Sequence, residues 1–385
     1  MKNPVSITSI GSVSALGETS EEIWQNYLRP EHCLKKGNFE RNEAYAGFLP
    51  QKSKDEVERL RTENANFRYV DDSVLFAIFA ARQAVKKAGW QNDKNIGINI
   101  GSSRGATGLF EKYHASFLEN GKAETLASPT TTLGNISSWV GQDLEASGPQ
   151  FSHSVTCSTG LHAVLNGIAW MHAGFTEKFL VGGSEAPLTP FTISQMQAMK
   201  IYASEDLDYP CQALNMEKSR NSMVLGEGAG IICMESGGAE NAIAKIAGIG
   251  YATEKLKHSV SISVEGECLQ KSMKMALENR DPEQIDVVVT HAPGTIKGDL
   301  AEVNAVKAVF GDKIPAITSN KWKLGHTFGA SGVLSMELAV LMLQNQQFIP
   351  VPFSNFSKNP QKLEHILVNA VGFGGNAVSV LLSKA

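Results

Sequence analysis

The chain has 385 residues, an ordinary apolar fraction of 42% and a formal net charge of −4. A charge this small, with no basic run interleaved with aromatics, excludes a nucleic-acid partner. Neither a charged-then-apolar leader nor an uninterrupted apolar run of membrane length is found, so no membrane insertion and a soluble cytoplasmic protein are expected.

In chain order, helical and extended segments alternate as in an α/β protein with buried sheets. The first clear helix is Asp71 to Gly89. Val74, Ile78, Ala81 and Val85 form one apolar stripe, Asp71 and Asp72 sit at its positive end, and Gly89 stops it. Ile96 to Gly101 and Phe179 to Gly183 read as short buried strands. Between them, Ser154-Val155-Thr156-Cys157-Ser158-Thr159-Gly160 carries a thiol where an extended run turns through small residues into Thr159 to His172, a segment apolar nearly all round. Cys157 reads either as a nucleophile, whose thiolate the start of that helix would favour, or as a packed core cysteine. The other cysteines, Cys33, Cys211, Cys233 and Cys268, have no paired C-x-x-C spacing, so neither a metal site nor a disulfide framework is indicated.

Further along, Gly226-Glu227-Gly228-Ala229-Gly230 precedes another strand, and Gly237 to Asn241 reads as a loop that divides the chain into residues 1–236 and 240–385. His291 ends the apolar run Ile285 to Thr290 and opens a turn-like segment leading to Asp299 and Glu302. His326 lies in the glycine-rich stretch Ser319 to Gly332, before the apolar helix Val333 to Leu343. Each histidine alone reads as a catalytic group at a strand end or as a hydrogen-bonded structural residue. The two parts echo each other. Cys157 to Leu161 and its helix parallel Gly329 to Val333 and theirs, and Ile98 to Gly101 parallels Val287 to His291, as in a duplicated unit.

The ordered set of the cysteine turn, the His291 segment with Thr295, Asp299 and Glu302, the Lys321 to His326 loop and the late Gly372-Phe373-Gly374-Gly375 turn resembles the beta-ketoacyl carrier-protein synthases. The resemblance runs through nearly the whole chain. It implies the thiolase-like fold, a five-layer αβαβα arrangement of two similar halves. It also implies a decarboxylating Claisen condensation. Cys157 would hold the acyl group as a thioester, and His291 and His326 would stabilise the enolate of a malonyl thioester on acyl carrier protein. The backbone amides of Cys157 and Phe373 would form the oxyanion hole. Lys321, paired with Glu302, would with Asp299 support the histidines. Thr295, Phe110, Met196 and Phe373 would contact substrate, with Phe110 as the gate of the acyl pocket, and Arg68, Lys122 and Lys200 would lie near the carrier-protein entrance. No cofactor is implied beyond the phosphopantetheine of the carrier, and a homodimer or a heterodimer with a homologous subunit is implied.

His326 favours the elongating class, because starter-type and chalcone-synthase-like relatives carry asparagine there and thiolases use a second, late cysteine. The alternatives are a noncatalytic, chain-length-factor-like partner and a thiolase-like acyl-CoA transferase. Departures from the family pattern at Pro293, at Asn376 and in Leu214 to Ser222 suggest a specialised synthase of a polyene or polyketide pathway. Large side chains at Phe110 and Met196 would shorten the pocket or suit a flat, unsaturated chain.

Overall fold

The computed structural model describes residues 4–40, 42–133, 135–255, 262–278, 280–356 and 358–385. In chain order the strands are β1 (Val5–Ser14), β2 (Lys35–Phe39), β3 (Asn42–Gly47), β4 (Ile96–Gly101), β5 (Gln150–Phe151), β6 (Lys178–Glu185), β7 (Leu225–Gly226), β8 (Gly228–Ser236), β9 (Ala244–Thr253), β10 (Val287–Val289), β11 (Ala316–Thr318), β12 (His365–Gly372) and β13 (Asn376–Ser383). Ten of them form one sheet in the order β11-β10-β12-β13-β9-β1-β8-β6-β4-β5, and β2, β3 and β7 form a small separate one.

The large sheet is two copies of one plan. Outward from the centre, β1-β8-β6-β4-β5 pairs antiparallel, antiparallel, parallel, parallel, and β9-β13-β12-β10-β11 repeats that sequence of pairings. The copies join where Val5, Ser6 and Ile7 of β1 face Ile246, Lys245 and Ala244 of β9. The internal echo in the sequence therefore has a structural counterpart, with β4 and β10 in equivalent places. The helices complete the layers. Asp72–Ala88 covers β1, β8 and β6, Glu267–Leu277 covers β9 and β13, and Thr159–His172 and Ser331–Asn345 lie between the two halves of the sheet. This is the expected five-layer α/β fold.

Local chemistry explains the elements that matter for the site. Asp71 caps its helix by accepting the amide of Ser73, and Gly89 ends it in the left-handed region, as the acidic start and glycine stop require. The middle-layer helix Ser331–Asn345 is buried at every position from Ser331 to Leu343, so its apolar character all round is what two flanking sheets demand. The two middle helices meet at their N-terminal ends. A Cβ on Gly160 would come within 2.7 Å of the Gly329 carbonyl oxygen and 2.9 Å of Val333, so only glycine lets the loop holding His326 approach the loop holding Cys157 this closely.

Candidate active site

Three loops converge between the halves. Cys157 follows Thr156, whose φ of 48° is unusual for a β-branched residue. That backbone is held from both sides, with the Thr156 hydroxyl donating to the Phe373 carbonyl at 3.2 Å and the Thr159 hydroxyl donating to the Thr156 carbonyl at 2.6 Å. Gly372 makes the approach possible, since a Cβ there would sit 1.8 Å from Thr156 Oγ1 and 3.1 Å from the Cys157 amide nitrogen. His291 follows β10, and its amide and that of Ala292 donate to the two oxygens of Glu302 at 2.9 and 2.7 Å. The backbone of His326 is clamped to the segment before β8, its amide donating to Val224 at 2.7 Å and its carbonyl accepting from Gly226 at 3.1 Å.

As a result the Cys157 sulfur and one ring nitrogen of each histidine lie within 4.8 Å of one another. The two imidazoles are nearly perpendicular, with centroids 5.1 Å apart. All three residues are buried. Among the described residues no other histidine, cysteine or carboxylate group converges in this way. A thiol and two imidazoles are ligands that zinc accepts, and equally the parts of an acyl-transfer centre. A cavity of about 310 Å³ opens onto them. Met196, Met199, Met223 and Phe328 line its apolar part, and Thr295 and the partly exposed Phe373 are also in its wall.

The electrostatics fix the protonation states. Burial, and then the charge of Lys321, pushes the His326 pKa down to about 3. Burial, then His326, then Lys321 push His291 well below its ordinary value. Both rings are therefore neutral at physiological pH. Their Nδ1 atoms are buried without a hydrogen-bond partner among the described residues, and a proton carried on Nε2 would be free to serve a ligand. Burial pushes Lys321 down to about 8 against the pull of Glu302, and burial pushes Glu302 up to about 7.

Cys157 departs from expectation. The start of the helix was expected to favour thiolate, but burial pushes the thiol up to about 12, with the Glu185 carboxylate adding to the rise and Lys321 and the local amide only partly opposing it. The resting group is a protonated thiol. Desolvation of a full negative charge outweighs one partial helix charge.

The buried histidine gives a pH prediction. Unfolded chain takes up this proton below about 6.5, whereas the folded chain does so only near 3. The stability contributed by the neutral ring is therefore complete above 6.5 and is lost as pH falls toward 3. Two pH units below the ordinary value the loss is about 3 kcal/mol. Urea unfolding near pH 7 and near pH 4.5 should show wild type losing about that much more stability than His326→Asn. Equal losses would mean that the ring is not buried and neutral.

The other expected residues divide. Met196, Thr295, Glu302 and Phe373 line the cavity. Thr295 caps the helix Ile296–Phe310 by accepting the Gly298 amide at 3.2 Å, which leaves its own O–H free to donate. Asp299 is fully buried, accepting the Gly294 and Leu214 amides at 3.0 and 2.9 Å and pairing with Lys218 at 2.7 Å. The ion pair expected between Lys321 and Glu302 is not made. The Lys321 ammonium instead donates to Asn320 Oδ1 at 3.0 Å and Ser335 Oγ at 3.2 Å, because Glu302 is already occupied by the His291 and Ala292 amides and by Asn369 at 3.2 Å. Phe110, expected at the acyl gate, is 61% exposed and does not line the cavity. Its helix, Thr107–Asn120, buries Thr107 and Tyr113 instead. Lys200 lines a more open depression of about 760 Å³ that shares Asn221 and Ile296 with the cavity wall. Arg68 and Lys122 are exposed and line neither. Glu185, Arg104, Lys218, Met223 and Phe328 carried no motif that would have singled them out.

The family models for the beta-ketoacyl synthase N-terminal and C-terminal domains match residues 2–238 and 243–355. The chain belongs to the beta-ketoacyl synthase family. With that membership it is an acyltransferase. It is similar to 3-oxoacyl-[acyl-carrier-protein] synthase 2 of Staphylococcus aureus (strain COL), at 28% identity over 99% of this chain and 98% of the relative. Among solved structures, a type II PKS acyl-carrier protein in complex with its ketosynthase matches with a TM-score of 0.85 and 20% identity over 100% of this chain and 99% of that one. The ishigamide ketosynthase/chain length factor matches with a TM-score of 0.86 and 19% identity, again over 100% and 99%. These two likenesses establish the thiolase-like ketosynthase fold.

Proposed function

We propose that the chain is an elongating condensing enzyme. An acyl group passes from a carrier thioester to Cys157, a malonyl-acyl carrier protein loses carbon dioxide, and the resulting carbanion attacks the held acyl carbon, breaking its bond to the Cys157 sulfur, which takes up a proton from solvent, to give a 3-oxoacyl-acyl carrier protein. The observation that carries this reading is the convergence of a buried thiol and two neutral imidazoles within 4.8 Å of one another, in the wall of a largely apolar cavity.

Each step has its group. During acylation the Cys157 S–C bond forms, the pantetheine C–S bond breaks and the thiol proton leaves with the pantetheine sulfur, so a resting thiol serves where a free thiolate would be costly to bury. In decarboxylation the malonyl thioester oxygen gains negative charge, and His291 and His326 donate hydrogen bonds to it through Nε2. Burial, with the charge of Lys321 adding to it, holds both rings neutral, so that they stabilise the enolate without protonating it. The amides of Cys157 and Phe373 serve the acyl oxyanion, and the Thr295 hydroxyl meets the pantetheine arm. The phosphopantetheine arm arrives with the carrier, and the reaction needs no cofactor of its own.

Lys200, which forms no ion pair with any described residue, stands in the open depression and would draw in an acidic carrier protein. Arg68 and Lys122 extend that attraction from a distance. The enzyme works in the cytoplasm beside a second chain, a copy or a homologous subunit. The exposed Phe110, Phe117, Leu118 and Phe175 favour such a partner, as does the two-residue edge strand β5, which is paired only with β4. The polarisable wall of Met196, Met199 and Met223 supports a flat, unsaturated chain and hence a polyene or polyketide pathway. A silent-partner role is disfavoured because thiol and histidines are all present and assembled.

The test is carbon dioxide release and product mass with malonyl-acyl carrier protein and an acyl donor. A 3-oxoacyl product two carbons longer than the donor is expected. Turnover by thiolytic exchange with coenzyme A alone, without carbon dioxide, would instead establish the thiolase-like alternative.

A further inference from the structure

Cys157, His291 and His326 offer one sulfur and two ring nitrogens within 4.8 Å of one another, and all three side chains are buried. A tetrahedral zinc ion, with bonds of about 2.3 Å to sulfur and about 2.0–2.1 Å to nitrogen, sets such atoms about 3.3–3.6 Å apart. Even a pair at the outer limit would have to close by no more than about 1.5 Å, which small side-chain rotations supply. The cavity of about 310 Å³ that opens onto the three residues has room for a water as fourth ligand. Glu302, the carboxylate in the cavity wall, is taken up by the His291 and Ala292 amides. A ligand set of one thiolate and two imidazoles selects zinc over magnesium or calcium, which demand oxygen.

Two features keep such a site weak. The Lys321 ammonium acts electrostatically on the thiol and on both rings, so it opposes a second cation. A zinc-bound imidazole normally donates its other N–H to a fixed acceptor. With Nε2 on the metal each ring would carry its proton on Nδ1, which is buried with no partner among the described residues. The thiol pulls the other way, because a metal that replaces its proton neutralises the thiolate that burial alone disfavours. One Zn–S bond forms, one S–H bond breaks, the proton leaves to solvent and zinc keeps its oxidation state. We propose that the three residues are also a reversible inhibitory zinc site, in which one ion covers the thiol and both imidazoles at once. Binding stands without the condensing-enzyme reading, and the inhibition rests on it.

The experiment separates the two. Enzyme freed of metal by a chelator would be titrated with Co²⁺, a spectroscopic substitute for zinc, and with Zn²⁺ against a chromophoric indicator. Alkylation of Cys157 by iodoacetamide would be followed by intact mass, with Cys157→Ser as the blank for the other thiols. One ion per chain is expected, with a thiolate-to-cobalt charge-transfer band and the intense visible bands of a four-coordinate ion. At zinc tenfold above its dissociation constant, alkylation should slow about tenfold, because only the metal-free thiol reacts. Magnesium should have no effect. His291→Ala and His326→Ala, which keep the thiol, should each weaken binding by more than the roughly 10- to 100-fold that loss of a mere orienting partner costs. Unchanged affinity and spectrum in Cys157→Ser, or an octahedral cobalt spectrum with no protection of the thiol, would overturn the site. Full condensation with zinc bound would overturn the inhibition. A chain that binds zinc through all three residues yet, free of metal, forms no 3-oxoacyl product would keep the site and sink the condensing reading.

Discussion

Replacing Cys157 with alanine is expected to abolish acyl-enzyme formation and lower condensation by about 10⁴-fold or more, the usual loss when a covalent nucleophile is removed. Decarboxylation of malonyl-acyl carrier protein should survive within about tenfold, because its two hydrogen-bond donors are untouched. The physical reason is the division of labour in the site. In the proposed mechanism the thiol touches only the acyl carbon, whereas the enolate oxygen is served by rings that come from the other half of the molecule. Radiolabelled carbon dioxide release, measured beside intact protein mass, checks both statements at once. Loss of both activities together would mean that the thiol also shapes the malonyl site. Retention of condensation would remove Cys157 from the mechanism.

His326→Ala should give the converse result. One N–H donor to a developing oxyanion in a dry site is worth about 10²- to 10³-fold in rate, so decarboxylation and condensation should fall by that factor while Cys157 still takes up acyl groups. His291→Ala should behave similarly, though its backbone is held separately through Glu302. The pH profile adds a check that geometry alone does not supply. Because both rings are neutral through the whole accessible range, no limb of the decarboxylation profile should come from either histidine, and a limb near 7 that persists in His326→Ala would belong to Glu302. The alkaline limb should instead follow the discharge of Lys321 near 8. If a limb near 6.5 appears in wild type and is lost in His326→Ala, the histidine acts as an acid and the donor role fails.

Sequence showed the reactive residues more clearly than it showed their chemistry. The helix after Asp71 could be bounded from its own residues, because a capping carboxylate and a stopping glycine act within one turn. Cys157, His291 and His326 stood out because each lies where an apolar run breaks into small residues. What could not be read depends on distance in space rather than in chain. The ammonium of Lys321 chooses Ser335 and Asn320 over Glu302 because the carboxylate is already saturated by amides eleven and ten positions away. The state of the Cys157 thiol is a contest between burial and two opposing charges, Glu185 and Lys321, and no local pattern gives its outcome. Phe110 matched a family position but is exposed in the single chain, where its helix buries Thr107 and Tyr113. Phe328 had the opposite fate, an unremarked residue brought into the cavity wall by a turn of unusual hand.

The seam between β1 and β9 has a consequence for biosynthesis. β9 is flanked by β1 on one side and by β13, more than a hundred residues later, on the other. Gly372 and Phe373, which press on the Cys157 turn, also come from that last hairpin. A nascent chain can fold much of its first half early, yet it cannot close the second half of the sheet until β13 has left the ribosome. The sulfur thus meets its histidines only after that hairpin has emerged, so that a chain interrupted before it carries a cysteine but no assembled site.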